Sequence, residues 1–429
     1  MSVKITPSAV TGTVAAPPSK SYTHRAIIVA SLADGETRII RPLLSDDTLL
    51  TIDAVRQLGA AIEQNGDMLK ITGTGGRINV APNSGVIFAG NSGSTVRMAA
   101  AVAALSPTRV VLNGDARLRQ RPVGDLLSAL ESLGARARSL NSNGCPPIEV
   151  QGGRLTGGEV TISGQASSQH ITALLMIAPY VNSGVSIKVV NGLRSRPYVA
   201  ITLDVMRAFG VDATNDKYRQ FSVKDGQKYR GQDYSIEGDY SSTAYFLAAG
   251  AIGGQPVTVT NLNTDSIQGD KFFLNILERM GCSVEYGREQ VMISRNGELN
   301  GISLDMGDCP DIVQAVAIVA AYAHGKTAIT NIGHLRFKET DRLGDTALEL
   351  GKTGIRTDIA DDTIVVYGGK PKGAELEAHN DHRMAMSLAT AALFADGDSI
   401  INGAETVAKS YPGFFRDLVS LGAKIEELP

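Results

Sequence analysis

Six times along this chain a helix-like segment ends on a glycine and passes into a strand-like run. The segments AVRQLGA, ALESLGA, VMRAFGV, ILERMGC, LGKTGI and LVSLGA place these glycines at Gly59, Gly134, Gly210, Gly281, Gly354 and Gly422, separated by 75, 76, 71, 73 and 68 residues. A glycine just past a helix takes the left-handed cap without a Cβ clash. The series therefore reads as one structural unit of about 70 residues repeated along the chain.

A second series runs in phase with the first. A polar cluster precedes an alanine-rich apolar stretch in SKSYTHRAIIVA, SGSTVRMAAAVA, SSQHITALLMIA, SSTAYFLAAGAI, PDIVQAVAIVAA and NDHRMAMSLATA, marked by Ser19, Ser92, Ser167, Ser241, Pro310 and Asp381. Serine, aspartate or asparagine there is first a capping signal for the free amides of a first helical turn. The stretches are apolar nearly all round, which implies burial and leaves their polar starts as the places where the interior meets solvent. A third series, DD at 46–47, RQRP at 119–122, SRPY at 195–198, QGDK at 268–271, KETDR at 338–342 and KSYPG at 409–413, opens the glycine-ended helices with charge.

Each unit then reads as strand, buried helix, strand, amphipathic helix, strand, strand, with TRVVL, VSIKVV and PVTVTNL among the strands. A chain of 429 residues exceeds one ordinary core. Six units over two domains give three per domain, with the boundary near Tyr234 to Asp239. We expect an α/β fold (α+β) with domains at 18–236 and at 1–17 plus 237–429, the strand before Pro17 returning to the second domain.

The formal charge of −3 argues against a nucleic-acid or membrane surface spread over the whole protein and leaves room for a local basic site. Cys145, Cys282 and Cys309 lie far apart without CxxC spacing, as expected of structural thiols in a reducing compartment. The start MSVKITPSAVTG lacks a long apolar run, and stretches such as AIIVASLA fall short of the ~20 residues of a membrane span. A cytoplasmic protein is expected.

Positive charge gathers at the element starts, as Lys20, Arg25, Arg97, Arg117, Arg119, Arg121, Arg196, Lys338, Arg342, Arg383 and Lys409. In KETDR, Lys338 and Arg342 would share a helix face, a like-charge pair costing ~0.2–0.5 kcal/mol unless an anion, or Glu339 or Asp341, neutralises it. In RLRQRP, an extended chain would put Arg117, Arg119 and Arg121 on one side, just before a proline at a first helical position. AAPPSKSYTHR joins a capping serine, Lys20 in the first turn, and Ser21 with Arg25 four apart, which is a ready phosphate site without being a P-loop. AGNSGSTVR offers Gly90 and Gly93 for close backbone approach, although a glycine turn before a helix is more often structural. Asp311 and Glu339 are candidate acid–base groups or simply caps and salt-bridge partners. His382 could be a base, a cap or a core histidine. No His/Cys/Asp/Glu cluster has metal-ligand spacing.

The motifs PPSKSYTHR, GNSGSTVR, RLRQRP, ASSQ, SRPY, EGDYSS, CPD, RFKETDR, NDHRMAM and AKSYPGFF run in order from Pro17 to Phe415. Together they resemble the EPSP synthase (3-phosphoshikimate 1-carboxyvinyltransferase) family. The resemblance implies a two-domain inside-out α/β barrel of six βαβαββ units, three per domain, with the active site in the cleft between them. It implies a monomer and a reaction without metal or other cofactor. The enolpyruvyl group of phosphoenolpyruvate is transferred to the 5-hydroxyl of shikimate 3-phosphate by addition and elimination, in the shikimate pathway of aromatic amino-acid biosynthesis.

Carried over by motif, the shikimate 3-phosphate site would use Lys20, Ser21, Arg25, Ser167, Ser168, Gln169, Ser195, Asp311, His334 and Lys338. The phosphoenolpyruvate site would use Lys20, Gly93, Arg121, Gln169, Arg342, Arg383 and Lys409. The same resemblance implies that Asp311 accepts the hydroxyl proton, with Lys20, Glu339 and Lys409 in proton transfer. Ser92, Ser94 and Met98 depart from common family patterns around Gly93, the glycine associated with glyphosate contact, as do Arg196 and His334 at their own sites. The rival UDP-N-acetylglucosamine enolpyruvyl transferases usually carry a cysteine in the loop before the position of Arg121, where this chain has GDARLRQRP. A non-catalytic anion-binding scaffold is a third reading, against which stand Asp311 and Glu339, since carboxylates would weaken a pure anion trap.

Overall fold

The computed structural model describes residues 1–80 and 85–428. The chain divides into two compact units, Pro18–Ile236 and a second composed of Met1–Pro17 with Glu237–Pro429. We call them the N-terminal and C-terminal units and describe each by itself.

The N-terminal unit contains helices α1 (Lys20–Leu32), α2 (Asp46–Gln57), α3 (Gly93–Ala103), α4 (Gly124–Ser132), α5 (Ser168–Ile177) and α6 (Arg196–Ala208). The odd-numbered helices are buried almost all round, α1 from Tyr22 to Leu32 and α3 at all but Ser94. Runs of alanine, as in MAAAVA of α3, keep side chains small enough for such helices to lie side by side inside the unit. Sheets form the outer layer, and their strands alternate buried and exposed residues, as Glu36–Ile40 does.

Each sheet has four strands with one recurring order. In the third repeat Gly158–Ser163 pairs in parallel with Val185–Val190, which pairs antiparallel with Gln220–Val223, which pairs antiparallel with Ala213–Asp216. This is the expected βαβαββ unit, α5 crossing between the parallel strands and α6 leading to the final hairpin. The first repeat draws its outer strand from far along the chain, since Asp233–Ser235 pairs in parallel with Glu36–Ile40.

The C-terminal unit repeats the plan with α7 (Tyr240–Gly253), α8 (Phe272–Arg279), α9 (Val313–Ala321), α10 (Arg342–Lys352), α11 (His382–Ala392) and α12 (Phe414–Ser420). Helices α7, α9 and α11 pack together in its core. Gly12–Ala15 directly precedes α1 in sequence, yet it pairs in parallel with Val257–Thr260 of this unit. Ser2–Thr6 completes the last sheet between Ser399–Asn402 and Lys424–Leu428.

The six glycines of the repeat all lie in the left-handed region, with φ between 84° at Gly354 and 108° at Gly422. Capping followed the markers less uniformly. Ser19, Ser92, Ser167 and Asp381 cap α1, α3, α5 and α11, but α7 is capped by Asp239, two residues before the marker Ser241. The fifth marker, Pro310, opens a 3₁₀ turn, Pro310–Ile312, that runs into α9 without a side-chain cap. Proline has no amide to cap, so that start is held differently.

Candidate active site

In the N-terminal unit, three buried helix starts carry the expected residues. Lys20 opens α1 and lies 3.2 Å from the Asp47 carboxylate of α2. One turn on, Arg25 is buried, and its guanidinium donates to Thr202 Oγ1 at 2.8 Å, to Tyr198 O at 2.9 Å and to the Ser21 backbone carbonyl at 2.9 Å. Tyr198 and Thr202 belong to α6, whose start is Ser195, a left-handed residue at φ 55°. Arg25 thus fastens the Ser195 helix to α1. Burial, partly offset by Tyr198 and Tyr22, lowers the Arg25 pKa to about 10.

Around the start of α3, Arg97 Nη1 donates to Gln169 Oε1 at 2.8 Å and Gln169 Nε2 donates to Ser94 Oγ at 2.8 Å. Arg121 donates to the Asn91 carbonyl at 2.9 Å. A Cβ on Gly93 would sit 2.6 Å from Arg121 Nη2 and 2.7 Å from Arg97 Nη1, so glycine is what lets both guanidiniums close over the helix start. The Ser167 hydroxyl oxygen accepts from the Gln169 amide at 3.3 Å, and Ser168 is buried beside it. Of the residues around Gly93 that differ from common family patterns, Ser92 caps α3 and Met98 is buried.

Beneath these starts runs a hydroxyl network. His24 Nδ1 is 2.8 Å from Thr51 Oγ1, which is 2.7 Å from Thr95 Oγ1, which donates to Ser92 Oγ at 2.8 Å. It ties α1, α2 and α3 together. Burial above all, with Lys20 and Arg25 adding to it against Asp47, lowers the His24 pKa to about 3, so the ring is neutral.

The C-terminal unit gathers its expected residues by charge pairing. Arg342, the first residue of α10, reaches Asp311 Oδ1 at 3.2 Å, Glu339 Oε2 at 2.9 Å and Asp381 Oδ2 at 2.7 Å. Arg383 of α11 reaches Asp311 Oδ2 at 2.7 Å, and Lys409 lies 3.8 Å from Glu339. His334 is buried in the turn Gly333–Phe337, and Lys338 ends that turn, half-buried.

Two local expectations are corrected. Lys338 and Arg342 do not share a helix face, because Asp341 caps α10 and leaves Lys338 in extended backbone before it. The charge of Arg342 is met by carboxylates, Glu339 among them, as the alternative reading held. Nor do Arg117, Arg119 and Arg121 alternate along an extended chain, since Leu118–Gln120 is a 3₁₀ turn and α4 begins only at Gly124. Arg119 turns to Asn113 Oδ1 and the Gly114 carbonyl while Arg121 alone is buried beside Gly93.

Sequence reasoning placed Asp47 and Asp381 only as helix-start markers, yet they are the ion partners of Lys20 and Arg342. Arg97, a basic helix-start residue to which the motifs assign no role, anchors Gln169. His382 is buried in the first turn of α11, whose cap is Asp381. Among the described residues no group of three or more His, Cys, Asp or Glu side chains is arranged to hold a metal, and no helix is long and apolar enough to cross a membrane.

Residues 5–418 match the model of the family described as EPSP synthase (3-phosphoshikimate 1-carboxyvinyltransferase). The chain is 44% identical to the 3-phosphoshikimate 1-carboxyvinyltransferase of Natronomonas pharaonis over 99% of each protein. It is 45% identical to that of Methanosphaerula palustris over 95% of this chain and 96% of the other. Among solved structures, the EPSP synthase from Acinetobacter baumannii superposes over the full length of both chains with a TM-score of 0.83 at 29% identity. The chain belongs to the EPSP synthase (3-phosphoshikimate 1-carboxyvinyltransferase) family.

Proposed function

We propose that the two clusters serve one reaction, with residues of both units engaging phosphoenolpyruvate and shikimate 3-phosphate. The chain carries out the family reaction, moving the enolpyruvyl group of phosphoenolpyruvate onto the 5-hydroxyl of shikimate 3-phosphate and releasing phosphate, a step of the shikimate pathway. Lys20, Ser21, Arg25, Ser167, Ser168, Gln169 and Ser195 hold the acceptor, joined by Asp311, His334 and Lys338. Lys20, Gly93, Arg121, Gln169, Arg342, Arg383 and Lys409 hold the donor. Two phosphates and two carboxylates bring roughly −5 to −6 of charge to such a site, which accounts for so many cations at helix starts.

Chemically, the Asp311 carboxylate accepts the 5-hydroxyl proton as the oxygen attacks C2 of phosphoenolpyruvate. The methylene carbon gains a proton from the set Lys20, Glu339 and Lys409. The tetrahedral intermediate then loses phosphate while the same carbon returns a proton and the vinyl group re-forms. The observation that carries this reading is the position of Asp311, a carboxylate held 3.2 Å and 2.7 Å from two arginines assigned to the donor. A pure anion trap has no use for it. A cytoplasmic monomer belongs to the same proposal, supported by the family resemblance and the dispersed cysteines.

Steady-state release of inorganic phosphate from phosphoenolpyruvate and shikimate 3-phosphate tests it. Turnover is expected with this acceptor and none with UDP-N-acetylglucosamine. No release at saturating substrates removes the reading, whereas Asp311→Ala with full turnover removes only the role given to Asp311.

A further inference from the structure

Directly before Asp381, two consecutive non-glycine residues lie in the left-handed region, His379 at φ 52° and Asn380 at φ 56°. Such a pair is unfavourable for L-residues and persists only where its surroundings fix it. The surroundings here are one face of α10. Arg342, Asp345 and Glu349 stand three and four residues apart and so line up along that helix. Opposite them runs the segment 377–383.

The contacts form successive rungs. The Glu349 side chain is fully buried, with Oε2 accepting from the Glu377 amide at 3.0 Å and lying 2.9 Å from Lys352 Nζ. Its Oε1 is 2.7 Å from His379 Nε2, and His379 Nδ1 is 3.8 Å from Asp345 Oδ1. Asp345 is held in turn by the Thr340 hydroxyl. The next rung is the fork of Asp381 onto Arg342, at 2.7 Å and 3.2 Å, with Asp381 Oδ1 also accepting from the Arg383 amide at 2.8 Å.

We propose that His379 is a positioning residue, whose imidazole, seated between the carboxylates of Glu349 and Asp345, pins the left-handed turn to α10 and so presents Arg342 and Arg383 as a preset pair. Removing the ring leaves Glu349 with Lys352 and the Glu377 amide, so the fold has no reason to fail. What is lost is the phase of the turn. Asp381 and the guanidiniums it steers then lose their preset placement. The inference rests on the reading that these two arginines bind phosphoenolpyruvate.

His379→Gly separates the ring from the backbone, because glycine takes φ near +52° more readily than histidine does. In the full chain we expect the phosphoenolpyruvate KM to rise about tenfold, the shikimate 3-phosphate KM to stay within about twofold, and the thermal midpoint to hold. His379→Gln, which can still donate to Glu349, should recover most of the difference. An unchanged phosphoenolpyruvate KM in the glycine variant overturns the inference. So does a parallel loss in both KM values with a lowered thermal midpoint, which marks a merely structural residue. Arg383→Ala distinguishes the levels: if it raises the phosphoenolpyruvate KM and His379→Gly does not, the binding reading stands without the clamp. If Arg383→Ala leaves that KM unchanged, the reading falls and the inference with it.

Discussion

Arg25 and Arg342 are both buried helical arginines, one in each unit, and they are stabilised in opposite ways. Arg25 is held by hydroxyls and backbone carbonyls from α1 and α6, and burial depresses its pKa to about 10. For Arg342 burial is again the largest effect, but Asp381, Glu339 and Asp311 together outweigh it and raise the pKa. The first is a buried cation in a neutral frame, suited to an anion that comes from outside. The second is already matched by carboxylates, so an anion binding there would have to exchange with them. On the proposed assignments, phosphate capture and proton chemistry would draw on differently made surroundings.

The contrast breaks most visibly if Arg342 is removed. Arg342→Ala strands the fully buried Asp381 beside Glu339 and Asp311, and a loss of about 3–5 kcal/mol is expected in chemical denaturation. A variant as stable as the parent would mean that these carboxylates do not depend on Arg342.

Arg25→Met should behave in the opposite sense. Thr172 and Thr202 remain bonded to each other at 2.8 Å, so stability without substrate should hold. Affinity for shikimate 3-phosphate should fall by about 2–4 kcal/mol, roughly thirty- to a thousandfold by calorimetry. Equal affinity would show that the neutral frame is not an anion site.

Gly93→Ala sharpens the comparison within the neutral frame. The added methyl must push aside the ends of Arg121 and Arg97, both flexible, so stability should barely change. The phosphoenolpyruvate KM should rise about tenfold, ~1.4 kcal/mol, with the other KM unaffected. Steady-state kinetics with each substrate varied in turn checks it.

The smallest effect concerns His24, under the same frame. Its folded pKa of about 3 lies below the ordinary 6.5, so the unfolded chain takes up a proton that the folded chain refuses. Stability is therefore full above pH 6.5 and is lost as pH falls from there toward about 3. By pH 5.5 the loss amounts to ~1.4 kcal/mol, and His24→Asn should flatten the slope of unfolding midpoint against pH by about that much. An unaltered slope would show that the buried ring takes up its proton as readily in the folded chain as in the unfolded one.

Much of the fold was legible because its signals are local. The repeat, the glycine caps and the apolar helices follow from spacing and from the left-handed preference of glycine, and the structure has them at the expected positions. The βαβαββ order is contiguous in the second, third and fifth repeats, whereas the first, fourth and sixth each take one strand from elsewhere in the chain, which local patterns do not show. Local reasoning failed where a segment's conformation was not set by its own side chains. RLRQRP folds as a 3₁₀ turn, and KETDR stops short of its helix because Asp341 caps α10 three residues after Lys338.

The sequence by itself determined the repeating architecture, the family, and the set of charged residues at the helix starts, since each of these is written in short-range spacing and ordered motifs. Only the tertiary structure decided which cation meets which partner. Asp381 lies 39 residues from Arg342, Thr202 lies 177 from Arg25, and His379 lies 30 from Glu349. Pairings over such distances depend on how helices stack. Burial then sets their sign and strength, because the low-polarity interior makes a matched charge firm and a neutrally held one ready for an anion.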